Sequence, residues 1–420
     1  MKCYILDGLS NQAMNKTQTI LTLLIIAALA GGFALGQFSS QPVVETRVVT
    51  SAVTRTVSVT SVETFTVATT VTHVVEHRPS EVRYARLFNL EKGDGFVLLR
   101  DGLNRTVLAV PRGAPLPDIK ADLVVWTPVE RAVLMSATHV ALVERLREYE
   151  PELLSRVAGL MWGSSYTWYF PEVEKLLQQG VIKDVGAAWS PDYEQLVALN
   201  PDLVMIYTYP GDPVVSKLEE LKLPYVVVSE YMEDDLLGRF EWIKFVAAFF
   251  GLENVADKVF NYVEQSVLLT SLRAKALVEH GVSAPKVVWF SIFRGTVYVA
   301  GGGSYVSKAI QDLGASYVFS DIASTGSATV TPEELVARAL DADVIVLSTD
   351  LITTREDLLK ELPQLAESKA FQTNRVYRYS GDIYQLGYFA TEEWFRDLAK
   401  MLYPEVFDGG DGLRFFVEVR

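Results

Sequence analysis

Short apolar runs alternate with longer amphipathic runs through most of the chain after residue 84. The apolar runs predict buried strands, and the amphipathic runs between them predict covering helices. Helical periodicity also fills 236–250 and 254–280, with a break at Gly251. This order predicts an α/β fold of two Rossmann-like lobes with open, mostly parallel sheets, joined by a long helix and with a ligand cleft between them. The expected strands are 129–135, 157–161, 203–207 and 225–228 in the first lobe, and 287–291, 298–300, 344–348 and 376–379 in the second.

One helix–strand element is written twice in the chain. Residues 190–208 read SPDYEQLVALNPDLVMIYT, and residues 331–349 read TPEELVARALDADVIVLST. Each copy offers a hydroxyl N-cap, Ser190 or Thr331, followed by a proline, first-turn acids and an apolar strand. The duplication predicts two lobes built alike, which places a binding cleft between them.

Composition changes along the chain set the expected domain boundaries. Residues 84–110 read as strands joined by glycine turns, a hairpin cover for the first lobe. The predicted order is a signal peptide or membrane anchor at 1–36, a Thr/Ser/Val-rich stalk at 37–80, an N-terminal lobe at 81–237, interlobe helices at 238–281, a C-terminal lobe at 282–405 and a tail at 406–420.

The N-terminus predicts export. Residues 20–36 are apolar and uncharged, short for a membrane span and slightly long for a signal core, so cleavage and retention both stay open. The following Val/Thr-rich stretch fits an extended stalk, although its high β propensity also fits an extra hairpin. We therefore expect the folded part outside the cytoplasmic membrane, either anchored or released.

Charge and composition exclude several classes of function. The net charge of -14 and the absence of any Lys/Arg-rich run argue against a nucleic-acid partner. Cys3 is the only cysteine, which excludes disulfides and thiolate metal sites. His73 and His77 fall in the stalk and His280 near the end of the long helix, which leaves His139 without an imidazole partner. We predict neither a resident metal nor a cofactor.

Six segments in order carry a family resemblance. They are PVERAVLMSATHVALVERL, VAGLMWGSSYTWYFPEV, DVGAAWSPDYEQLVALNPDLV, GGGSYVSKAIQDLGA, VTPEELVARALDADVIVLS and AFQTNRVYRYS. Together they resemble the helical-backbone (class III) substrate-binding proteins that feed ABC importers of ferric siderophores, haem and cobalamin. The resemblance covers about 84–405. It departs from the family in the Val/Thr stalk and in having no lipobox cysteine.

The resemblance implies a monomeric binding protein rather than an enzyme. Its ligand would be a ferric siderophore-type chelate, or cobalamin or haem, and its partner the permease dimer with its ATPase. A stalked surface-binding module without transport remains an alternative, and an exported hydrolase a weaker one, since neither GxSxG nor HExxH occurs. The glycine run at 301–303 before Ser304 lacks the spacing of a phosphate-binding loop.

By the same resemblance, one acid on each lobe docks onto the permease. The matching residues are Glu194 and Glu333. A carboxylate in a first helical turn is stabilised by the helix dipole, so both residues also fit a purely structural role. Thr331 and Glu334 form a capping-box pattern, which leaves Glu333 free. Aligning the two copies by their caps would instead select Asp192 in the first lobe.

Large rings follow the expected carboxyl ends of the strands, where α/β folds bind ligands. Flat rings suit a bulky, partly apolar chelate, with Tyr207 and Tyr209 nearby. Arg294 is the candidate for an anionic ligand group, or else an ordinary surface arginine. The predicted ligand-binding residues are Trp162, Tyr166, Trp168, Tyr169 and Trp189 in the first lobe, and Trp289, Phe293, Arg294, Tyr305 and Tyr384 in the second.

Overall fold

The computed structural model describes residues 44–55, 65–76, 82–163, 165–209, 211–381, 383–407 and 409–420. Strands β1 (Val44–Arg55) and β2 (Phe65–Glu76) pair with each other in a two-stranded sheet of their own, as the β propensity of the Val/Thr stretch favours. That the stretch serves as a stalk stays a prediction. The expected signal or anchor at 20–36 lies outside the described residues. Within them, none of the helices has the length and apolar character that crossing a membrane requires.

The strands and helices alternate in the order that the sequence pattern predicts. The remaining strands are β3 (Asn89–Gly93), β4 (Phe96–Arg100), β5 (Thr106–Pro111), β6 (Leu123–Thr127), β7 (Ala132–Leu134), β8 (Val157–Leu160), β9 (Lys183–Asp184), β10 (Gly186–Ala187), β11 (Ser190–Pro191), β12 (Leu203–Ile206), β13 (Tyr225–Val227), β14 (Lys286–Phe293), β15 (Thr296–Ala300), β16 (Ser316–Tyr317), β17 (Ser327–Val330), β18 (Val344–Leu347), β19 (Val376–Tyr379) and β20 (Phe416–Glu418). The helices are α1 (Ala137–Arg147), α2 (Pro171–Gln178), α3 (Tyr193–Leu199), α4 (Val214–Glu220), α5 (Leu236–Ala248), α6 (Glu253–Glu279), α7 (Tyr305–Asp312), α8 (Pro332–Ala339), α9 (Arg355–Glu361), α10 (Lys369–Gln372), α11 (Ile383–Phe389), α12 (Thr391–Leu402) and α13 (Pro404–Phe407), with 3-10 turns at Pro151–Arg156, Glu230–Met232 and Pro363–Glu367.

The first lobe is built on a parallel sheet in the order β13, β12, β7, β8, β9. A second sheet of four strands, β3 to β6, covers it. Its first three strands are antiparallel, as expected for a hairpin cover, and β6 adds to β5 in parallel. Strand β6 was not among the predicted strands, although its sequence, LVVWT, is apolar.

The second lobe has a mixed seven-stranded sheet. Strands β14, β18 and β19 are parallel neighbours, whereas β15, β17 and β20 pair antiparallel. The β14–β15 hairpin turns through Arg294 and Gly295, which have φ of 51° and 76°, the backbone of a type I′ turn. Residues beyond 405 also belong to this lobe, since β20 forms an edge of the sheet and Phe416 is buried.

The duplicated element has the same role in both lobes. Strand β12 pairs in parallel with β7, and β18 pairs in parallel with β14. The acid directly before the strand of each copy makes matching bonds. The Asp202 carboxylate accepts the Arg131 N–H at 3.2 Å, and the Asp343 carboxylate accepts the Lys286 N–H at 2.8 Å. In each case the backbone N–H of the acid returns a bond to the same partner's carbonyl. The two copies therefore share this side-chain contact as well as their strand pairing.

The cap of the first copy differs from the expectation. Ser190 does not cap helix α3, because it lies with Pro191 in β11, which pairs with β10 in a tight hairpin. Asp192 caps the helix instead, accepting the N–H of Gln195 at 2.9 Å. Thr331 caps α8 as predicted.

Two consecutive helices, α5 and α6, connect the sheets. Helix α6 has 27 residues and is about 40 Å long at about 1.5 Å per residue. Helix α5 is buried on nearly every side, which explains why its sequence is apolar all round rather than amphipathic.

Buried carboxylates fasten residues 83–87 to helix α5. Glu241 accepts the backbone N–H groups of the first three of these residues, at 2.7 to 3.0 Å, and pairs with Lys244 at 2.6 Å. Glu233 accepts the next two N–H groups and the indole N–H of Trp242. The two side chains thus satisfy five consecutive N–H groups of an irregular segment. We call this arrangement the carboxylate clamp.

Candidate functional site

A group of four rings lies just beyond the carboxyl end of β8. The ring centroid of Trp162 lies 5.5 Å from that of Tyr166 and 5.2 Å from that of Trp189. The ring centroids of Tyr166 and Trp168 are 5.2 Å apart. We call these four residues the aromatic wall. Trp189 is 57% exposed, whereas Trp168 is buried and donates its indole N–H to the Gly163 carbonyl at 3.0 Å. The wall is anchored by one ring and open to solvent at another.

Trp162 has a strained backbone. Its φ is 51°, an uncommon value for a residue other than glycine. Local hydrogen bonds hold this conformation, since its N–H donates to the Gly186 carbonyl at 2.8 Å and its carbonyl accepts the N–H groups of Ser165 and Tyr166 at 3.0 Å. Strain of this kind clusters at functional sites. No sequence signal announced it.

A residue of the second lobe holds the loop that carries the wall. Gln385, on α11, is buried; its side-chain oxygen accepts the Tyr169 N–H at 3.0 Å and its amide donates to the Thr167 carbonyl at 2.7 Å. Burial raises the pKa of the Tyr166 hydroxyl, and a bond to Gln385 opposes that rise. The sequence pattern did not identify Gln385, because an isolated glutamine in a helix carries no recognisable motif.

Two further contacts join the lobes. Arg145 of α1 pairs with Glu392 of α12 at 2.8 Å, and both side chains are largely buried. The rings of Phe170 and Phe389 lie 5.5 Å apart. Burial raises the pKa of the Glu392 carboxyl, against the opposing charge of Arg145. The two lobes are therefore in direct contact here.

The predicted ligand-binding residues of the second lobe lie partly on the surface and partly in the core. Phe293 and Arg294 are exposed at the tip of the β14–β15 hairpin, with the guanidinium 5.2 Å from the neighbouring ring. Trp289 is only 2% exposed and packs against Tyr379 and Phe416 with centroids 5.8 Å away. Because the side chain lies inside the core, we leave Trp289 out of the proposed ligand set.

The other predicted ring residues have different positions. Tyr169 and Tyr209 are exposed, and Tyr207 packs on Tyr231 with centroids 5.9 Å apart. Tyr305 begins helix α7 and lines a cavity at the junction of the lobes. Tyr384 belongs to α11, but its side chain is outside the described part of the structure.

The two candidate docking acids are exposed at equivalent positions. Glu194 follows the cap Asp192 by two residues, as Glu333 follows the cap Thr331. Aligning the two helices by their caps, Asp192 and Thr331, therefore gives the same pairing as aligning them by Leu196 and Leu335. Both alignments pair Glu194 with Glu333, so the alternative that selected Asp192 loses its basis. Neither glutamate forms an ion pair within the described residues.

Glu334 behaves differently from its neighbour. Its N–H donates to the Thr331 hydroxyl at 3.1 Å, which is one half of a capping box. Its carboxylate pairs with Arg338 at 2.8 Å rather than returning to the cap. Glu334 is thus occupied by its own helix.

The glycine run at 301–303 serves packing. Its three N–H groups donate to carbonyls of the loop 322–326 at 2.8 to 2.9 Å, so they are not available to a phosphate. A Cβ on Gly302 would lie 2.1 Å from the Ser320 carbonyl oxygen. Ser304 then caps helix α7.

His139 is buried beside an acid. Its Nε2 lies 3.7 Å from Glu230, which accepts the Thr138 hydroxyl at 2.5 Å. Burial alone would raise the pKa of the Glu230 carboxyl, but His139 and Thr138 outweigh it and hold that pKa below its ordinary value. In the described ranges, no three His, Cys, Asp or Glu side chains come together as a metal ion would require.

Comparison with known proteins adds to this geometry. Residues 162–382 match the model of a family described as periplasmic binding protein, a span that includes the aromatic wall and both docking candidates. An uncharacterized lipoprotein of Methanocaldococcus jannaschii is 37% identical over 293 residues, 68% of each chain. Two solved structures share the fold. A possible iron-binding periplasmic solute-binding protein from Staphylococcus epidermidis has a TM-score of 0.52 at 16% identity, covering 66% of this chain and 100% of the other. A periplasmic heme-binding protein from Pseudomonas aeruginosa has a TM-score of 0.52 at 20% identity, covering 66% and 94%.

Proposed function

This chain belongs to the class III periplasmic binding protein family, and from that premise we propose that it is the extracytoplasmic solute-binding component of an ABC importer. We propose a ferric siderophore-type complex as its ligand, with cobalamin or haem as the alternatives within the class. The aromatic wall is the observation that carries this proposal. The family is described as a binding protein, and we propose that this chain binds its substrate without converting it.

The wall favours a large ligand with flat, apolar faces. A large ring can bury 150–250 Å² at about 25 cal/mol per Å² of apolar surface, so the exposed Trp189 together with the half-buried Trp162 and Tyr166 supplies a few kcal/mol of gross binding energy. A bare transition-metal ion would need several imidazole, thiolate or carboxylate ligands instead. His139, the one histidine buried in the first lobe, is already directed at Glu230.

Ligand entry requires the lobes to separate. The Gln385 bonds, the Arg145–Glu392 pair and the Phe170–Phe389 contact all cross the junction. We propose that an open form lacks these contacts and that the chelate restores them when it fills the cleft. A long connecting helix allows such a change by a small rocking motion.

Tryptophan quenching tests the ligand class. The full-length protein, purified in detergent, is titrated with ferric siderophores, haem and cobalamin. We expect saturable quenching with at least one of them, and about tenfold weaker binding, about 1.4 kcal/mol, in Trp162→Ala and Trp189→Ala. Trp126→Ala is the matched control, because Trp126 is exposed on β6 outside the wall. Folded protein that no chelate quenches would refute the ligand class.

We further propose that Glu194 and Glu333 dock the loaded protein onto the permease dimer. Both lie in first helical turns, are exposed and are unpaired within the described residues, so their charge is available for complementary basic pockets. The double variant Glu194→Ala/Glu333→Ala should bind the chelate normally and fail to support uptake. Glu361→Ala/Glu405→Ala removes the same charge from two other exposed sites and should transport normally.

The docking experiment also separates transport from surface binding. A stalked binding module without a transport role would bind the chelate but show no importer-dependent uptake in any variant. We propose that the protein is a monomer and that the segment before residue 80 holds it at the outer face of the membrane. Fractionation of cells into membrane and released pools tests whether that segment stays attached.

A further inference from the structure

A cavity of about 50 Å³ lies where helices α5, α7, α11 and α12 meet. One water needs about 10–15 Å³ on this scale, so the cavity holds about three to five waters or one small polyatomic group. A whole chelate does not fit. Its lining includes one charged side chain, Arg239, together with Tyr305, Tyr388, Thr391 and Trp394.

Arg239 has donor capacity to spare in this cavity. Its Nη1 donates to the Tyr231 carbonyl at 2.6 Å and to the Glu233 carbonyl at 3.5 Å, and its Nη2 donates to the Tyr388 hydroxyl in a short bond. Its Nε–H has no acceptor among the described residues, and no carboxylate there lies within ion-pair distance of the guanidinium. The Cζ atom of the Arg239 guanidinium lies over the Tyr305 ring, 4.3 Å from its centroid. The partly buried cation therefore makes no ion pair among the described residues, and the charge of Glu230 acts on it only from farther away.

Two tyrosine hydroxyls add further donors. The Tyr388 hydroxyl accepts from Arg239, so its own proton is free to be donated elsewhere. Burial raises the pKa of Tyr388 far above its ordinary value, which keeps the hydroxyl protonated. The Tyr305 hydroxyl makes no hydrogen bond with any described residue. The cavity therefore offers a guanidinium and two neutral O–H donors.

We propose that this cavity binds a carboxylate group. A guanidinium and a carboxylate match in a bidentate geometry, and the available donors exceed the available acceptors. The group could belong to a free small anion or to an arm of the chelate, and this second source rests on the proposed function. In either case the guanidinium, which reaches α11 through Tyr388, would link anion binding to the contact between the lobes.

Thermal unfolding tests the free-anion source without any chelate. The full-length protein is titrated with sodium acetate and sodium bicarbonate against sodium chloride at equal ionic strength. We expect a saturable rise in Tm in the wild type that is absent in Arg239→Gln and in Tyr388→Phe. Arg396→Gln is the control, since Arg396 is exposed on α12, the helix that carries two lining residues.

Chelate titration tests the second source. Ferric citrate, which carries carboxylates, is compared with a ferric trihydroxamate that has none. Arg239→Gln should weaken binding of the first about tenfold and leave the second unchanged. Circular dichroism checks that each variant is folded, and Tyr388→Phe repeats the test with a change of one hydroxyl.

The outcomes separate the two proposals. A specific acetate or bicarbonate effect that both variants abolish supports a free-anion site, and a loss confined to ferric citrate supports the chelate arm. Equal behaviour of wild type and folded variants in both experiments would overturn the inference. Should no chelate bind the wild type, the proposed function fails, while the acetate titration still decides what the cavity binds.

Discussion

Replacement of Gln385 by methionine tests whether the aromatic wall depends on the other lobe. The amide bonds the Tyr169 N–H and the Thr167 carbonyl, and methionine keeps its length without its polarity. An unpaired buried neutral group costs about 1–3 kcal/mol. Because Thr167 and Tyr169 are exposed residues, water can replace part of each bond, so the low end applies. Two groups lose their partner, so we expect a loss of about 2 kcal/mol in the free energy of unfolding, about 1 kcal/mol for each group.

Urea denaturation followed by circular dichroism measures this loss, with an unchanged m-value showing that the two-state transition is preserved. Gln372→Met is the matched control, since the Gln372 amide makes one exposed bond to a carbonyl at 3.2 Å and its loss should stay within about 0.5 kcal/mol. We also expect about fivefold weaker chelate binding, because the wall must be ordered when the ligand arrives. If Gln385→Met matches its control in both stability and affinity, the wall does not depend on α11.

Further predictions concern packing and pH. Gly302→Ala should cost about 1–3 kcal/mol or more, because its Cβ would meet the Ser320 carbonyl; Gly326→Ala, in open space, should cost far less on the same urea assay. Burial raises the pKa of Glu392 above its ordinary 4.5, with Arg145 opposing, so the folded state holds this proton more tightly than the unfolded state. The stability of the wild type relative to Glu392→Gln should therefore be greatest below pH 4.5 and fall as the pH rises through the raised pKa, measured by unfolding at pH 4 and pH 7. A difference that grows with pH would contradict the burial argument.

The sequence predicted regular elements well where periodicity was long or hydrophobicity continuous. Strand Val376–Tyr379 has the predicted bounds, and helix α6 (Glu253–Glu279) lies within one residue of the predicted 254–280. The prediction that Ser190 caps the first helix was wrong. A serine followed by a proline and an acid has the pattern of a helix start, but here the serine and the proline form strand β11 of a hairpin. Strands β10 and β11 have two residues each, too few for an alternating pattern to mark them in the sequence.

The site was less predictable than the fold, for a related reason. The order of strands and loops indicated the aromatic wall, because rings that follow a strand lie at its carboxyl end. The same rule selected Trp289, which is buried in the core. The sequence does not show whether a ring near the end of a central strand faces the ligand site or the core. Gln385 and Arg239 act across elements distant in the chain, so no local spacing marks them.

The carboxylate clamp determines where a mechanical load enters the folded part. Force applied along the polypeptide from before Val82 passes through five backbone N–H groups into Glu233, just before α5, and Glu241, within α5. In the chain, α5 follows the last strand of the first-lobe sheet and precedes the first strand of the second-lobe sheet. The clamp therefore takes up such a pull before it reaches β3 at Asn89, so the covering sheet bears no load until these five bonds break.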